Sequence, residues 1–261
     1  MDQAETYGAG QLPVGRKIGF TNKSIWPEYN IYASNWGYMY ANTVLSLREN
    51  PTFEFNQRAM SLQPRIEPEV VLRMASAPSA SMSDTELLDC VSWFAHGFEV
   101  VQSIYRDWKF NSAETTAAGA LHQVLLIGRT IRPAASASKE EFISALGDVK
   151  VDLYRNQELM DRGGAKNVLG NPLNALRHLC EILENQSLHP RILPGEIITT
   201  GTMTKALPIS VGDRWHTTLQ QDGLQSVAHQ GKGFESAGVE FKLREGSYPI
   251  HVEKSLALSN E

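Results

Sequence analysis

The chain has 261 residues, 42% hydrophobic and 20% charged, which suits a folded protein with a sizeable core and excludes a disordered one. With 24 basic against 29 acidic residues, and a formal net charge of -5, it carries no basic footprint for nucleic acid. No apolar run is long enough to span a bilayer and two cysteines make no disulfide framework, so a cytoplasmic protein with free thiols is expected.

Residues 15–20, G-R-K-I-G-F, read as a short strand. Residues 21–60 are rich in aromatic, Asn and Ser positions and lack a period, so they read as a long loop or lid. From Ile66 to Met74 the pattern alternates. Ile66, Pro68, Val70, Leu72 and Met74 fall on one face and Glu67, Glu69, Val71 and Arg73 on the other, as in a half-buried strand. Pro68 cannot donate to a ladder, which implies an edge or a bulge. Ser83 to Glu86 is a capping box. It opens a helix predicted through Leu87, Leu88, Val91 and Phe94, with Gly97 placed to end it. Phe98–Ile104, Leu121–Ile127 and Val149–Leu153 are strand candidates. Asn171-Pro172 combines an N-cap with proline at the first helical position, ahead of a striped helix over Leu173–Leu183. Glu196–Thr200, Asp213–Leu219 and Val239–Leu243 complete a strand-rich second half. The sum is an α+β protein with more sheet than helix, expected as a single domain over 1–261 with a peripheral tail at 247–261.

Glu67 and Glu69 are the most informative pair, because residues i and i+2 of a strand share a face. Two carboxylates ~4 Å apart repel by roughly 1 kcal/mol in water and about 4 at an effective dielectric of ~20. A partly buried pair needs a proton, a cation or an arginine between them. Glu99 is a third carboxylate at the start of an apolar strand, where packing gives it no reason to be. A hard cation such as Mg²⁺ suits a few carboxylate oxygens and keeps positions open. From spacing alone, however, E-x-E on the solvent face of an edge strand beside Arg73 is the commoner arrangement, and nothing in the spacing links Glu99 to the pair. The seven histidines show no metal-ligand spacing and read as surface or core polar residues, and Cys90 reads as packing.

Five segments, in order, supply the link. They are G-R-K-I-G-F-T-N at 15–22, R-I-E-P-E-V-V at 65–71, G-F-E-V-V-Q-S with D-W-K at 97–109, L-G-N-P-L-N-A-L at 169–176 and T-T-G-T at 199–202. Together they resemble the 2-keto-4-pentenoate hydratase and 4-oxalocrotonate decarboxylase branch of the fumarylacetoacetate hydrolase superfamily. The resemblance implies a mixed, bent β-structure, part barrel and part roll, with peripheral helices. It implies Glu67, Glu69 and Glu99 as ligands of Mg²⁺ or Mn²⁺, and Lys17 facing the substrate. Gly170, Asn171, Pro172 and Thr202 are implied as further substrate-binding positions. A lysine between Arg16 and Ile18 is more often a solvated charge. In the implied site it would stabilise the negative charge that develops as a proton leaves a 2-oxo acid.

The chain departs from the branch in its proton-transfer half. Asn35-Trp36-Gly37 stands where an acid is usual, and Thr115 and Ala117 stand where Asn and Ser are usual in the segment now read as Glu114 to Gly119. An amide cannot shuttle a proton. Asn35 is therefore a catalytic position of altered chemistry, and Glu114, the nearest carboxylate, is the alternative proton carrier. No histidine precedes His96, unlike the C–C hydrolases of the superfamily with their His–Glu dyad. Few residues precede Lys17, so a helical segment usual in the branch is either lost or upstream. These features lead to the expectation of a divalent-metal-dependent lyase acting on a 2-hydroxydienoate or 2-oxo acid, as a homo-oligomer. The alternatives are a 2-oxo diacid decarboxylase, or a catalytically impaired homologue serving as partner subunit in a hetero-complex.

Overall fold

A computed structural model describes residues 12–47, 52–56, 62–229, 234 and 241–246. The expected tail at 247–261 lies outside them, as do 48–51 and 57–61 of the expected lid. None of the described helices is long and apolar enough to cross a membrane.

The larger sheet has eight strands. Its path runs β2 (Asn35–Tyr40), β1 (Pro13–Gly19), β10 (Ile197–Thr202), β5 (Arg65–Met74), β6 (Val91–Val101), β7 (His122–Ile131) and β3 (Val44–Ser46), with β11 (Leu207–Pro208) also paired to β5. The second sheet runs β4 (Thr52–Asn56), β13 (Phe241–Gly246), β12 (Arg214–Gln220), β8 (Lys150–Arg155) and β9 (Glu158–Gly164). Parallel pairs, β1 with β10, β3 with β7 and β4 with β13, mix with antiparallel ones. The larger sheet curls into a half-barrel with helices outside it, the α+β architecture expected.

The helices are α1 (Trp26–Tyr29), α2 (Asp84–Asp89), α3 (Ser112–Ala117), α4 (Lys139–Gly147), α5 (Pro172–Glu184) and α6 (Asp222–Val227). Helix α5 starts as its sequence dictates: the Asn171 side chain accepts from Leu173 N–H, and Pro172 follows at N1. Its stripe of Leu173, Leu176, Leu179 and Leu183 joins Phe142 and Leu146 of α4 in one core with Val70 and Leu72 of β5. Val71 points the other way, into a second cluster with Met39, Ala95, Leu125 and Ile197. The centre of β5 is thus buried on both faces rather than one, because the curl folds the sheet over its own inner surface.

The capping box at Ser83 and Glu86 forms as expected, but α2 ends at Asp89 instead of running to Gly97. Val91 to Phe94 belong to strand β6. A continuous apolar run does not distinguish a buried strand from a buried helix, and here the β-branched and aromatic residues decide. Gly97 is a strand position, where an added Cβ would stand 2.6 Å from the Leu126 carbonyl oxygen. The expected loop over 21–60 is also corrected, since it contains β2, β3 and β4. Its first part, over 21–34, holds no strand; it carries a 3-10 turn at Lys23–Ile25 and α1, and is tied down by Trp26 Nε1 and Ser34 Oγ, which both donate to the Phe20 carbonyl.

His96 joins the two sheets. On β6 it donates from Nδ1 to the Glu69 carbonyl at 3.1 Å and accepts at Nε2 from the Thr217 hydroxyl of β12 at 2.8 Å. Burial pushes its pKa down to about 4, against the bond to the Glu69 carbonyl, so it is neutral in the fold. An unfolded histidine gains its proton near pH 6.5. The unfolded chain therefore binds more protons between pH 6.5 and 4, and stability falls as pH drops through that window, by up to about 3 kcal/mol. Denaturant titrations should show His96→Leu losing this part of the slope. At pH 7, Thr217→Val, which leaves Nε2 unpaired, should cost about 1–3 kcal/mol.

Candidate functional site

Strands β5 and β6 bring the carboxylates together. Their register sets Glu67 directly opposite Glu99 and Glu69 opposite Gly97, so parity alone puts all three side chains on the inner face. One oxygen from each lies within 4.8 Å of the others. Glu69 and Glu99 are fully buried and Glu67 is partly so.

Neighbouring strands supply the partners. From β1, Lys17 Nζ reaches Glu99 Oε2 at 3.2 Å. From β7, His122 Nδ1 lies 2.8 Å from Glu99 Oε1, with its Nε2 2.9 Å from Thr43 Oγ1. From β10, Gly201 N–H donates to Glu69 Oε2 at 2.9 Å. Only glycine fits there, because φ is +97° and a Cβ would meet Thr21 Oγ1 at 1.8 Å. Glu69 Oε1 remains buried without a partner, and Glu99 Oε2 has only the Lys17 ammonium beside it.

The electrostatics record the shortage of positive charge. Burial, with help from Glu99 and against Lys17 and Arg65, pushes Glu67 up to about 7. Burial, then Glu99 and Glu67, hold Glu69 well above the usual carboxylate range. Burial also works against Glu99, but Lys17 and His122 outweigh it and bring its pKa below the usual value. Burial alone would lower Lys17; the three carboxylates outweigh it and keep the ammonium charged. Lys17 is thus a buried cation, not the solvated charge that its sequence neighbours suggest.

A cavity of about 250 Å³ opens onto this cluster. Lys17, Glu67 and Thr202 line it beside Arg65, Tyr29 and Trp108. Four residues of its wall carry backbone strain: Phe20, Trp108, Ala120 and Leu121 have φ of 57°, 56°, 54° and 65°. For side-chain-bearing residues this costs on the order of 1–3 kcal/mol each, and such strain gathers at functional sites. Gly37 makes room for part of that wall, since a Cβ there would stand 2.3 Å from the Gly119 carbonyl oxygen.

The remaining expected residues fall elsewhere. Asn35, paired with Gly19 across β1 and β2, shares the face of Lys17 without lining the cavity; a Cβ at Gly19 would stand 2.6 Å from Asn35 Oδ1 and 3.7 Å from Lys17 Nζ. Asn35 Nδ2 donates to Thr115 Oγ1 at 2.8 Å and its Oδ1 is buried unpaired. Glu114 accepts from Asn111 N–H at 2.7 Å as the capping box of α3, and it does not line the cavity. Gly170, Asn171 and Pro172 do not line it either. Asn171 caps α5 and donates from Nδ2 to the Ile143 carbonyl, and Pro172 is buried in the same helix start. His122 is the residue missed, because only the β6–β7 register brings it to Glu99. Arg65 was legible by the parity that paired Glu67 with Glu69.

A family model described as fumarylacetoacetate (FAA) hydrolase C-terminal matches residues 21–230. A 2-hydroxyhexa-2,4-dienoate hydratase of Comamonas testosteroni is 25% identical over 222 residues, 84% of this chain and 79% of that protein. A 4-oxalocrotonate decarboxylase of a Pseudomonas species is 25% identical over 223 residues, 85% of this chain and 81% of that one. The solved 4-oxalocrotonate decarboxylase from Pseudomonas putida G7, complexed with magnesium and adipate, shares the fold with a TM-score of 0.72 at 21% identity, covering 92% of this chain and 81% of that chain.

The raised carboxylates set the pH behaviour of the metal-free protein. A carboxyl whose folded pKa lies above its unfolded value contributes stability below the unfolded pKa and loses it as pH rises through the folded one. For Glu67 that window runs from the ordinary 4.5 to about 7. In chelator, Glu67→Gln should therefore raise Tm at pH 8, by about 2–4 °C per kcal/mol relieved. The gain should vanish near pH 4.5, where the unfolded carboxyl is itself half protonated. A thermal melt with no gain at pH 8 would show that the cluster is already neutralised from within.

Proposed function

The chain belongs to the fumarylacetoacetate hydrolase C-terminal family, and from that premise we propose that it is a divalent-cation-dependent lyase acting on a 2-hydroxydienoate or 2-oxo acid. The observation that supports this most is the cluster of Glu67, Glu69 and Glu99, crowded on one face with Glu69 Oε1 buried and unpartnered. These residues suit Mg²⁺ or Mn²⁺, hard cations that prefer a few carboxylate oxygens. Such a cation supplies Lewis acidity and a template for a chelating 2-oxo carboxylate.

The protein's own groups do the rest. Lys17 brings a charged ammonium to the cavity wall, placed to stabilise the negative charge that develops on the 2-oxo oxygen as a proton leaves the adjacent carbon. Ala120 and Leu121, both buried, add apolar surface to the same cavity wall. His122 and Gly201 hold Glu99 and Glu69 in place, so the carboxylates keep their geometry before any ligand arrives. Cytoplasmic location and homo-oligomeric assembly belong to the same proposal, on the family resemblance.

One observation favours decarboxylation of a 2-oxo diacid as a second reading. Hydration needs a group that takes a proton from the water attacking the far carbon and a group that delivers one to the carbon beside the carbonyl. Asn35 is occupied with Thr115 and cannot shuttle a proton, and Glu114 is tied to its own helix. Loss of carbon dioxide needs a place for the electrons but no attacking water, and Lys17 provides part of that place.

Calorimetric titration with Mn²⁺ should show Glu67→Gln binding at least tenfold more weakly, roughly 1.4 kcal/mol. Oxalate or pyruvate should then bind only when the cation is present. Unchanged metal affinity in Glu67→Gln, or oxalate binding indifferent to Mn²⁺, defeats the lyase reading. An ultraviolet screen of 2-hydroxydienoates and 2-oxo diacids, following loss of the dienol or enol band, decides between the two reactions.

A further inference from the structure

Strand β7 carries an extra residue beside the carboxylate cluster. Leu125 pairs with Glu99 and Val124 with Val100, but Val101 pairs with His122, so Gln123 stands between them outside the ladder. With uninterrupted pairing, alternation would send the His122 ring to the face opposite Glu99. The bulge re-aims it onto the carboxylate face. There the ring is buried, with 5% of the side chain exposed. Nδ1 meets Glu99 Oε1 at 2.8 Å and Nε2 meets Thr43 Oγ1 at 2.9 Å. Thr43 Oγ1 also accepts from Tyr40 N–H at 3.1 Å, so the turn between β2 and β3 fixes the far side of the ring.

The consequence falls on Glu99. With Oε1 held by His122, the oxygen it can offer is Oε2, beside the Lys17 ammonium. Glu69 is clamped in the same way, with Oε2 taken by Gly201 N–H and Oε1 left over. Each of the two buried carboxylates therefore presents a single oxygen, and would have to give up its donor to present both. Of these two clamps only the one on Glu99 is made by a side chain, so only it can be removed by substitution.

We propose that His122 is a positioning residue that acts through Glu99 to make the site select Mg²⁺ and Mn²⁺ against Ca²⁺. The inference rests on the metal-dependent reading above and deepens it. Mg²⁺ demands near-ideal octahedral geometry with oxygens at ~2.0–2.1 Å, and it is content with single carboxylate oxygens and retained waters. Ca²⁺ takes roughly six to eight oxygens at ~2.3–2.6 Å, and carboxylates that bind through both oxygens help to supply them. A site whose buried carboxylates are each clamped to one oxygen suits the smaller ion and denies the larger one part of its shell. The bulge is the local device that sets this, because it alone brings the imidazole to the carboxylate face.

The experiment strips the protein with chelator and measures Mg²⁺ and Ca²⁺ affinity by competition against Mn²⁺, with free Mn²⁺ followed by its electron paramagnetic resonance signal. Wild type is compared with His122→Leu and His122→Asn. Wild type should favour Mg²⁺. In His122→Leu, Mg²⁺ affinity should fall about tenfold, the low end of what the partners of metal ligands contribute. Ca²⁺, which recovers a ligand oxygen, should stay within about twofold, so the selectivity ratio collapses. His122→Asn keeps an N–H near the place of Nδ1 and should hold the ratio within about twofold of wild type, a rescue that a merely structural role of the ring would not give. If His122→Leu does not fold, Thr43→Val serves instead: it removes the support at Nε2 and should shift the ratio the same way by a smaller factor. A wild-type preference for Ca²⁺ overturns the inference. So does an equal loss of both ions in His122→Leu, an unchanged ratio in the variant that folds, or His122→Asn behaving as His122→Leu does; each leaves the lyase reading standing. Absence of Mn²⁺, Mg²⁺ and Ca²⁺ binding by wild type sinks both.

Discussion

Three carboxylates share one face of two neighbouring strands, closer than they can stay if all are ionised and unaccompanied. Much of the surrounding structure answers that crowding. Lys17 is drawn in from β1, His122 from β7, and a backbone N–H is turned inward at Gly201 by a conformation that only glycine holds easily. These partners satisfy Glu99 first and Glu69 in part, and they leave Glu67 facing the cavity with its proton only loosely dismissed. The arrangement is stable enough to fold and still short of positive charge. A structural ion-pair network would have closed on itself, whereas this one keeps a shortage that an added cation would relieve.

The backbone around the cavity shows a second kind of tension. Phe20, Trp108, Ala120 and Leu121 all hold positive φ, a conformation that none of their side chains favours. Each belongs to a different contact of the wall: Phe20 leads into α1, Trp108 supports Arg65, and Ala120 and Leu121 close the inner end. Side-chain contacts compensate the strain. Trp26 and Ser34 both grip the Phe20 carbonyl, and Trp108 is anchored through Gln63. The wall is therefore shaped in advance, and its precision does not wait for a ligand.

What the sequence disclosed follows from the range of the physics involved. Period-2 alternation identified β5 and its charged face, and local chemistry identified the caps at Ser83 and Asn171, because those signals reside in a few adjacent residues. The meeting of Glu67 with Glu99 was not legible from spacing, since it depends on the pairing of β5 with β6; it came only from resemblance. His122 and Thr43 depend on a third and a fourth segment and left no local trace. The reverse error occurred at Asn171 and Pro172. Their motif is legible, but it marks a helix start, not a contact with the cavity. A recurring motif is equally visible whether it serves the fold or the site, and only geometry separates the two.

Parity carries a hazard, because a slip of one residue in β5 would send Glu67 and Glu69 to the helix-covered side and bring Pro68 and Val70 to the cavity. Pro68 guards against it. Its carbonyl accepts from Met203 N–H at 2.8 Å, so the N–H it lacks would also point toward β10. On that side the ladder is interrupted, with the register shifting between Thr199 and Thr202. Pro68 lies just past that shift, opposite Met203, whose carbonyl accepts instead from Gly164 N–H at 3.1 Å and Asn167 Nδ2 at 2.8 Å, so no acceptor is left waiting for the missing donor. Move the register by one, and Pro68 would turn its bare nitrogen toward β6, where pairing is continuous from Arg65 to Arg73. The same bulge contains Gly201, whose turned N–H grips Glu69. The bulge that positions the carboxylate thus ends one residue before the partner of the proline, so the register of the strand and the geometry of the site are held by adjacent features of one segment.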